Sequence, residues 1–231
     1  GDWSLCTEMI LKVKGGQRYK AADINLEGDW SAAANFLVAG AIFGKAELSG
    51  LDTTSLQADL SIMDILMDAG ASLSQLDGRT GNITAQRAPL QAFEVDASNC
   101  PDLFPIVAVL AAFCQGTSRI EGVGRLANKE SDRAKAILGM LTQMGVQADI
   151  EGDELVVKGY SLAERLMGGP GLLKGGAYSS HHDHRMVMAL KVASLGADSP
   201  ITIDDEACVA KSFPQFNELF DFVAFSSAPG R

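Results

Sequence analysis

A chain of 231 residues with 47% hydrophobic side chains can bury one large core or two small ones. Its 19 basic against 29 acidic residues give a net charge of −10 without any Lys/Arg run, which argues against a nucleic-acid backbone as partner. An acidic protein that binds an anion must therefore gather its few cations in one place.

No run of about eighteen apolar residues is present, so no membrane-spanning helix is expected, and no secretory signal is read. Cys6, Cys100, Cys114 and Cys208 follow neither C-x-x-C spacing nor a regular framework. They read as reduced thiols of a cytoplasmic protein. The chain opens Gly1-Asp2-Trp3 with its first methionine at Met9, which predicts a fragment of something longer. The tail 226–231 reads as frayed or foreign.

In chain order, residues 10–14 resemble the closing strand of an earlier unit occupying about 1–22. A unit over 23–90 follows: strand 23–27, helix 31–43, strand 45–50, a helix near 58–69, and short strands near 72–75 and 82–86. The unit over 91–160 repeats that order, with strand 93–96, helix 101–113, strand 118–122, helix 129–144, and strands 147–150 and 154–158. A third unit, 161–225, begins near 171–178. It continues through helix 184–195, strand 201–203 and helix 214–223, and stops before two closing strands.

Landmark glycines support the repeat. Gly44 and Gly116 end the first helices and Gly50 and Gly122 the next strands, both pairs offset by 72 residues, while Gly70 and Gly145, offset by 75, end the second helices. Left-handed C-terminal caps are expected at the helix ends. The stretches 32–43 and 104–113 are apolar nearly all round, the pattern of helices buried on every side. The fold class expected is α/β (α+β): one domain over 1–225, built of βαβαββ units with inner helices and outer sheets.

Three motifs carry cations at helix starts or junctions. In Lys129-Glu130-Ser131-Asp132-Arg133, Asn128 is the expected N-cap and the helix begins at Lys129. Arg133 then lies three residues from Glu130 and four from Lys129, so neighbouring turns aim them at one spot. Free amides of the first turn add positive potential for an anion. In His181-His182-Asp183-His184-Arg185-Met186, Asp183 caps a helix with His184 and Arg185 in its first turn. All three histidines of the chain lie here, but Arg185 among them repels a metal ion, so no metal site is expected. Lys211, in Ala210-Lys211-Ser212-Phe213-Pro214, stands between a strand-like segment and the last helix, as a mobile point charge for phosphate. Asp102 follows Pro101 at the start of an apolar helix, where a carboxylate can complement the dipole or take a proton from a hydroxyl. No phosphate-binding glycine loop or nucleophile elbow occurs.

These motifs, with Gly28-Asp29-Trp30-Ser31-Ala32-Ala33 and Pro101-Asp102, resemble the 3-phosphoshikimate 1-carboxyvinyltransferase (EPSP synthase) family. The likeness covers essentially the whole chain and the C-terminal half of the family's length. It implies two similar domains, each of three βαβαββ units around parallel inner helices. It also implies transfer of the enolpyruvyl group of phosphoenolpyruvate to the 5-hydroxyl of shikimate 3-phosphate through a tetrahedral intermediate, without metal or organic cofactor. The partner implied is the N-terminal half of the same enzyme, itself a monomer.

Matched by motif, Asp102 contacts substrate hydroxyls as a candidate base, and Glu130 exchanges a proton at the methylene carbon. Lys129 binds substrate, while Arg133, Arg185 and Lys211 clamp phosphoenolpyruvate with His184 beside them. The family's N-terminal lysine, its Ser-Ser-Gln phosphate site and a further arginine have no counterpart in this chain. Arg125 and His182 stand where the family often has Asn. Two other readings remain open at this point: an enolpyruvyl transferase acting on a UDP-amino sugar, and a non-catalytic module of the same fold.

Overall fold

Three mostly buried helices, two of them with almost no polar face, set the architecture of the computed structural model, which describes residues 10–76, 81–127 and 132–225. All nine residues of α3 (Phe104–Ala112) are buried, as are most of α1 (Trp30–Phe43) and of α6 (His184–Ser194). Helices of this composition leave water only by packing on one another and on sheets at every side. Here α1, α3 and α6 pack mutually at the centre, one from each expected unit. They run parallel. At one end the ring of Phe43 meets that of Phe113 edge-on at 5.1 Å, and Gly196, just past α6, packs on both rings. At the other end their first turns share one polar cluster.

The sheets lie outside and repeat one topology. In the second unit β4 (Glu94–Asp96) runs parallel to β5 (Gly116–Glu121), which pairs antiparallel with β7 (Glu154–Gly159), itself antiparallel to β6 (Gln147–Glu151). The first unit has β1 (Lys45–Leu48), β3 (Ile83–Gln86) and β2 (Ser72–Gln75) in the order of β5, β7 and β6, again antiparallel. In the third, β8 (Gly176–Tyr178) runs parallel to β9 (Ile201–Ile203) as β4 does to β5. No closing strands follow among the described residues. The second helix of each unit flanks the core: α2 (Ile62–Asp68), α4 (Arg133–Gln143) and α7 (Phe216–Phe225).

The expected inner helices and outer sheets are therefore present, with local corrections. The strands expected over 10–14 and 23–27 do not form. Ile24 and Leu26 are 78% and 89% exposed, and the segment's bond to the first sheet is the one at its end, from Gly28 N to Gly50 O. An alternating strand gains little where nothing covers its apolar face. Helix α3 starts at Phe104, not 101, so Asp102 precedes the N-cap Leu103 instead of lying in the first turn.

Gly70 and Gly145 do take left-handed φ of +78° and +79°. Around them Gly70 N donates to Met67 O and Ala71 N to Leu66 O, the paired bonds of a Schellman cap, and residues 141–146 repeat the pattern. Gly44, at φ −172°, is merely extended. The sequence reading missed α5 (Leu162–Leu166), although its signal was available: Ser161 and Glu164 form a reciprocal capping box.

Gly159 ends β7 where the sheet meets the C-terminal end of α3. A Cβ there would lie 1.9 Å from Ala111 O and 2.3 Å from Cys114 O. Backbone oxygens cannot yield as a side-chain tip can, so Gly159→Ala is expected to cost about 3 kcal/mol in denaturant unfolding. A loss below about 1 kcal/mol would show that helix and sheet are not held at this spacing.

Candidate functional site: the shared helix N-termini

Parallel inner helices bring their first turns, and the free amides of those turns, to one end of the domain. Two of the three starts, those of α1 and α6, are fixed by an acid. Asp29 accepts from Ser31 N at 2.8 Å at the head of α1, and Asp183 from Arg185 N at 2.9 Å at the head of α6. Helix α4 is capped by Asp132, which accepts from Lys135 N at 3.3 Å. This corrects the expected cap at Asn128 and start at Lys129. Asn128, Lys129 and Glu130 lie outside the described residues.

Arg133, the first residue of α4, ties the cluster together. Its Nε donates to Asp183 Oδ2 at 2.7 Å and its Nη2 to Asp183 Oδ1 at 3.2 Å, a two-pronged pair in which both side chains are essentially sealed from solvent. Its Nη1 donates to Asp102 Oδ1 at 2.8 Å and to Pro101 O at 3.3 Å. Burial pulls the guanidinium pKa down, but Asp183 and Asp102 more than offset this and leave it raised. Arg133 is thus engaged by protein carboxylates on all three nitrogens and brackets α3, α4 and α6.

Arg185 is different. It is 9% exposed, and its Nη2 lies 3.7 Å from Asp102 Oδ2. Its Nε and Nη1 are buried with no hydrogen-bond partner. A buried guanidinium edge without acceptors is costly, and such a group is retained where a ligand supplies them. Asp102, 35% exposed, forms part of the wall of a polar cavity of about 350 Å³ together with Ser31, Gln57, Asp59 and Asn99. Two of the larger cavities, about 490 and 480 Å³, are lined mainly by apolar side chains such as Leu90 and Phe113 in one and Phe36 and Phe220 in the other. They lie away from this cluster.

The histidines do not converge. His181 is exposed, His184 is buried in the first turn of α6, and His182 pairs with Asp205 at 2.7 Å. His181 and His182 both take left-handed φ, +53° and +55°. The loop is held in that shape by Ser179 and Ser180, whose hydroxyls donate to Asp204. These bonds and His182–Asp205 fasten the loop before α6 to the segment carrying Lys211. Lys211 ends the 3-10 helix Glu206–Lys211, not an open junction, and stands exposed on an element packed against α6.

The hydrogen bond to Asp205 raises the His182 pKa above 6.5. The contribution of this bond to stability is complete below that ordinary value and is lost as pH rises through the raised one. In Asp205→Asn the His182 midpoint, followed by NMR, is expected to fall back to the ordinary range.

The structure thus brings Asp102, Arg133, His184 and Arg185 to one end of the domain, with Lys211 on the adjoining helix. The sequence reading missed Asp59, which no motif marked, and took Asp183 only as a cap, without its buried pairing to Arg133.

Comparison with known proteins identifies the family of the chain. The family model described as EPSP synthase (3-phosphoshikimate 1-carboxyvinyltransferase) matches residues 6–220. The 3-phosphoshikimate 1-carboxyvinyltransferase of Brachyspira hyodysenteriae is 40% identical over 91% of this chain and 48% of its own length. That of Methanocorpusculum labreanum is 40% identical over 88% and 45%. Among solved structures, an EPSP synthase from Acinetobacter baumannii superposes with a TM-score of 0.75 at 27% identity, covering 92% of this chain and 51% of that one. The enolpyruvyl transferase NikO from Streptomyces tendae, at 17% identity and TM-score 0.60, shares the fold. The chain spans about half the length of these relatives. With motifs, topology and matched residues in agreement, the chain belongs to the EPSP synthase family.

Proposed function

We propose that the protein carrying this chain transfers the enolpyruvyl group of phosphoenolpyruvate to the 5-hydroxyl of shikimate 3-phosphate, releasing phosphate. The chain supplies one domain over 1–225, and the N-terminal half of the same enzyme supplies the facing one. The enzyme works as a monomer in the cytoplasm, in keeping with the free thiols of Cys100, Cys114 and Cys208.

The observation that carries this reading is the buried edge of Arg185, without acceptors and beside Asp102, at a helix N-terminus. Phosphoenolpyruvate offers the carboxylate and phosphate oxygens such an edge lacks. In the reaction the hydroxyl oxygen bonds to the central carbon of phosphoenolpyruvate, and its proton passes to Asp102. Glu130 gives a proton to the methylene carbon, forming a methyl group. Phosphate then leaves as one methyl proton returns to Glu130, restoring the double bond. Arg185, Arg133, Lys211 and Lys129, with His184 beside them, offset the charge of the reactants and of the departing phosphate.

Arg133 contributes mainly by holding Asp102 and the head of α6. Any part it plays on phosphate requires one of its present carboxylate partners to shift. Because two domains must close on the substrates, the isolated chain is expected to release no phosphate above background. Joined to an N-terminal half it should do so at an enzyme-like rate. Turnover by the chain alone, or none by the joined protein, would refute the reading. A non-catalytic module would be indifferent to the loss of Arg185.

A further inference from the structure

In each unit the loop that enters the inner helix comes against the end of the strand that follows that helix. In the first unit Gly28 N donates to Gly50 O at 2.8 Å. In the second, Gly122 comes so near Ser98 that a Cβ on it would lie 2.7 Å from Ser98 N. Glycine lets two backbones close directly at both places. In the third unit the matching pair is Ser180 and Asp204, at the same spacing along the chain as Ser98 and Gly122, and a carboxylate fills the gap. Asp204 Oδ1 accepts from Ser180 N at 2.8 Å and from Ser180 Oγ at 2.9 Å, and its Oδ2 accepts from Ser179 Oγ at 2.7 Å.

The two serines pass this hold onward. Ser180 is fully buried, and its hydroxyl, while donating to Asp204, accepts from His182 N at 3.2 Å. The Ser179 hydroxyl likewise accepts from His181 N at 3.2 Å. An O–H that donates to a carboxylate is a stronger acceptor at its own oxygen. His181 and His182 stand at left-handed φ, which a residue with a Cβ seldom holds unless its surroundings enforce it. Ser180 O then accepts at 3.0 Å from the backbone N–H of Asp183, the residue that caps α6 and pairs with Arg133. On the other side of Asp204 the chain turns into the 3-10 helix that ends in Lys211 and packs on α6.

We infer that Asp204 is a positioning residue, a carboxylate clasp that sets the head of α6, with Asp183 and Arg185, against the segment carrying Lys211. This rests on the roles proposed above for Arg185 and Lys211. The bond from Ser180 N, with those from the two hydroxyls, holds the Asp204 carboxyl well below the usual carboxylate range, so the clasp is ionised and complete at neutral pH. Asp204 itself is exposed, but Ser180 is not, and a buried hydroxyl deprived of its acceptor is costly. Small displacements of positioning groups carry large losses at a reacting centre.

The test is steady-state kinetics of Asp204→Ala in the protein joined to its N-terminal half. KM for phosphoenolpyruvate is expected to rise about tenfold, with kcat and the KM for shikimate 3-phosphate within about threefold. A merely structural role would instead lower the active fraction and leave both KM values in place. Asp204→Asn keeps an oxygen for Ser180 N and should recover most of the affinity. An unchanged KM for phosphoenolpyruvate, or an equal rise for both substrates, overturns the inference.

Amide hydrogen exchange in the full 231-residue chain tests the clasp without turnover. In Asp204→Ala the amides of His182 and Asp183 are expected to exchange about tenfold faster, while those of the inner helix α3 keep their rates. Unchanged exchange at His182 and Asp183 also overturns the inference, whatever the kinetics. If Arg185→Ala leaves the joined protein's activity unchanged, the enzymatic reading fails instead, and exchange still decides whether Asp204 fastens the loop.

Discussion

Replacing Arg185 by alanine, in the protein joined to its N-terminal half, is expected to lower kcat/KM for phosphoenolpyruvate by about 10²–10³-fold, the usual effect of losing one donor to developing charge. Stability should hold or rise. Arg185 is buried, touches one carboxylate at 3.7 Å and leaves two donor nitrogens without acceptors, so its removal relieves more desolvation than it forfeits bonding. A structural arginine would show the opposite pairing, with lost stability and little specific loss of activity. Lysine at this position restores charge but not a planar edge, so Arg185→Lys should recover only part of the rate. An Arg185→Ala protein that melts lower and turns over normally would remove the central support for the proposed chemistry.

The reading of the sequence succeeded where one residue type can satisfy a local demand. Gly70 and Gly145 mark left-handed caps because other residues pay a steric penalty there, and both caps are formed. The apolar stretches of α1 and α3 mark inner helices because no solvated face could be drawn on them. It failed where the answer depended on a distant partner. Residues 23–27 alternate as a strand should, yet they stay unpaired because pairing is decided by what lies opposite.

The same holds in the site. Arg133 read as an anion clamp from its spacing within α4, whereas its nitrogens are taken by Asp102 and Asp183, residues 31 and 50 positions away. Asp59 carried no motif. Its place in the cavity wall arises from the fold of α1 against the turn before α2, which no local pattern encodes.

Asp183 provides the largest expected effect on stability. It is fully buried, grips Arg133 through both oxygens and caps α6 through the Arg185 amide. Asp183→Ala leaves Arg133 buried with Asp102 as its remaining carboxylate and uncaps an inner helix. Breaking a buried pair from one side costs roughly 3–5 kcal/mol, and losing a cap about 1. For a chain of this size that lowers Tm by about 10 °C or more. Asp183→Asn keeps shape and cap but not charge, and should cost about half as much.

The double substitution Arg133→Met with Asp183→Ala separates the two contributions. With the uncompensated charge gone, part of the loss should return, giving a coupling energy of about 1–3 kcal/mol in denaturant unfolding. If the single Asp183→Ala change costs under about 1 kcal/mol, or the two substitutions add without coupling, then the Arg133–Asp183 pair does not organise the helix N-termini. The cavity of Asp102 and the buried edge of Arg185 would then need another support, since both residues are placed by elements that this pair brackets.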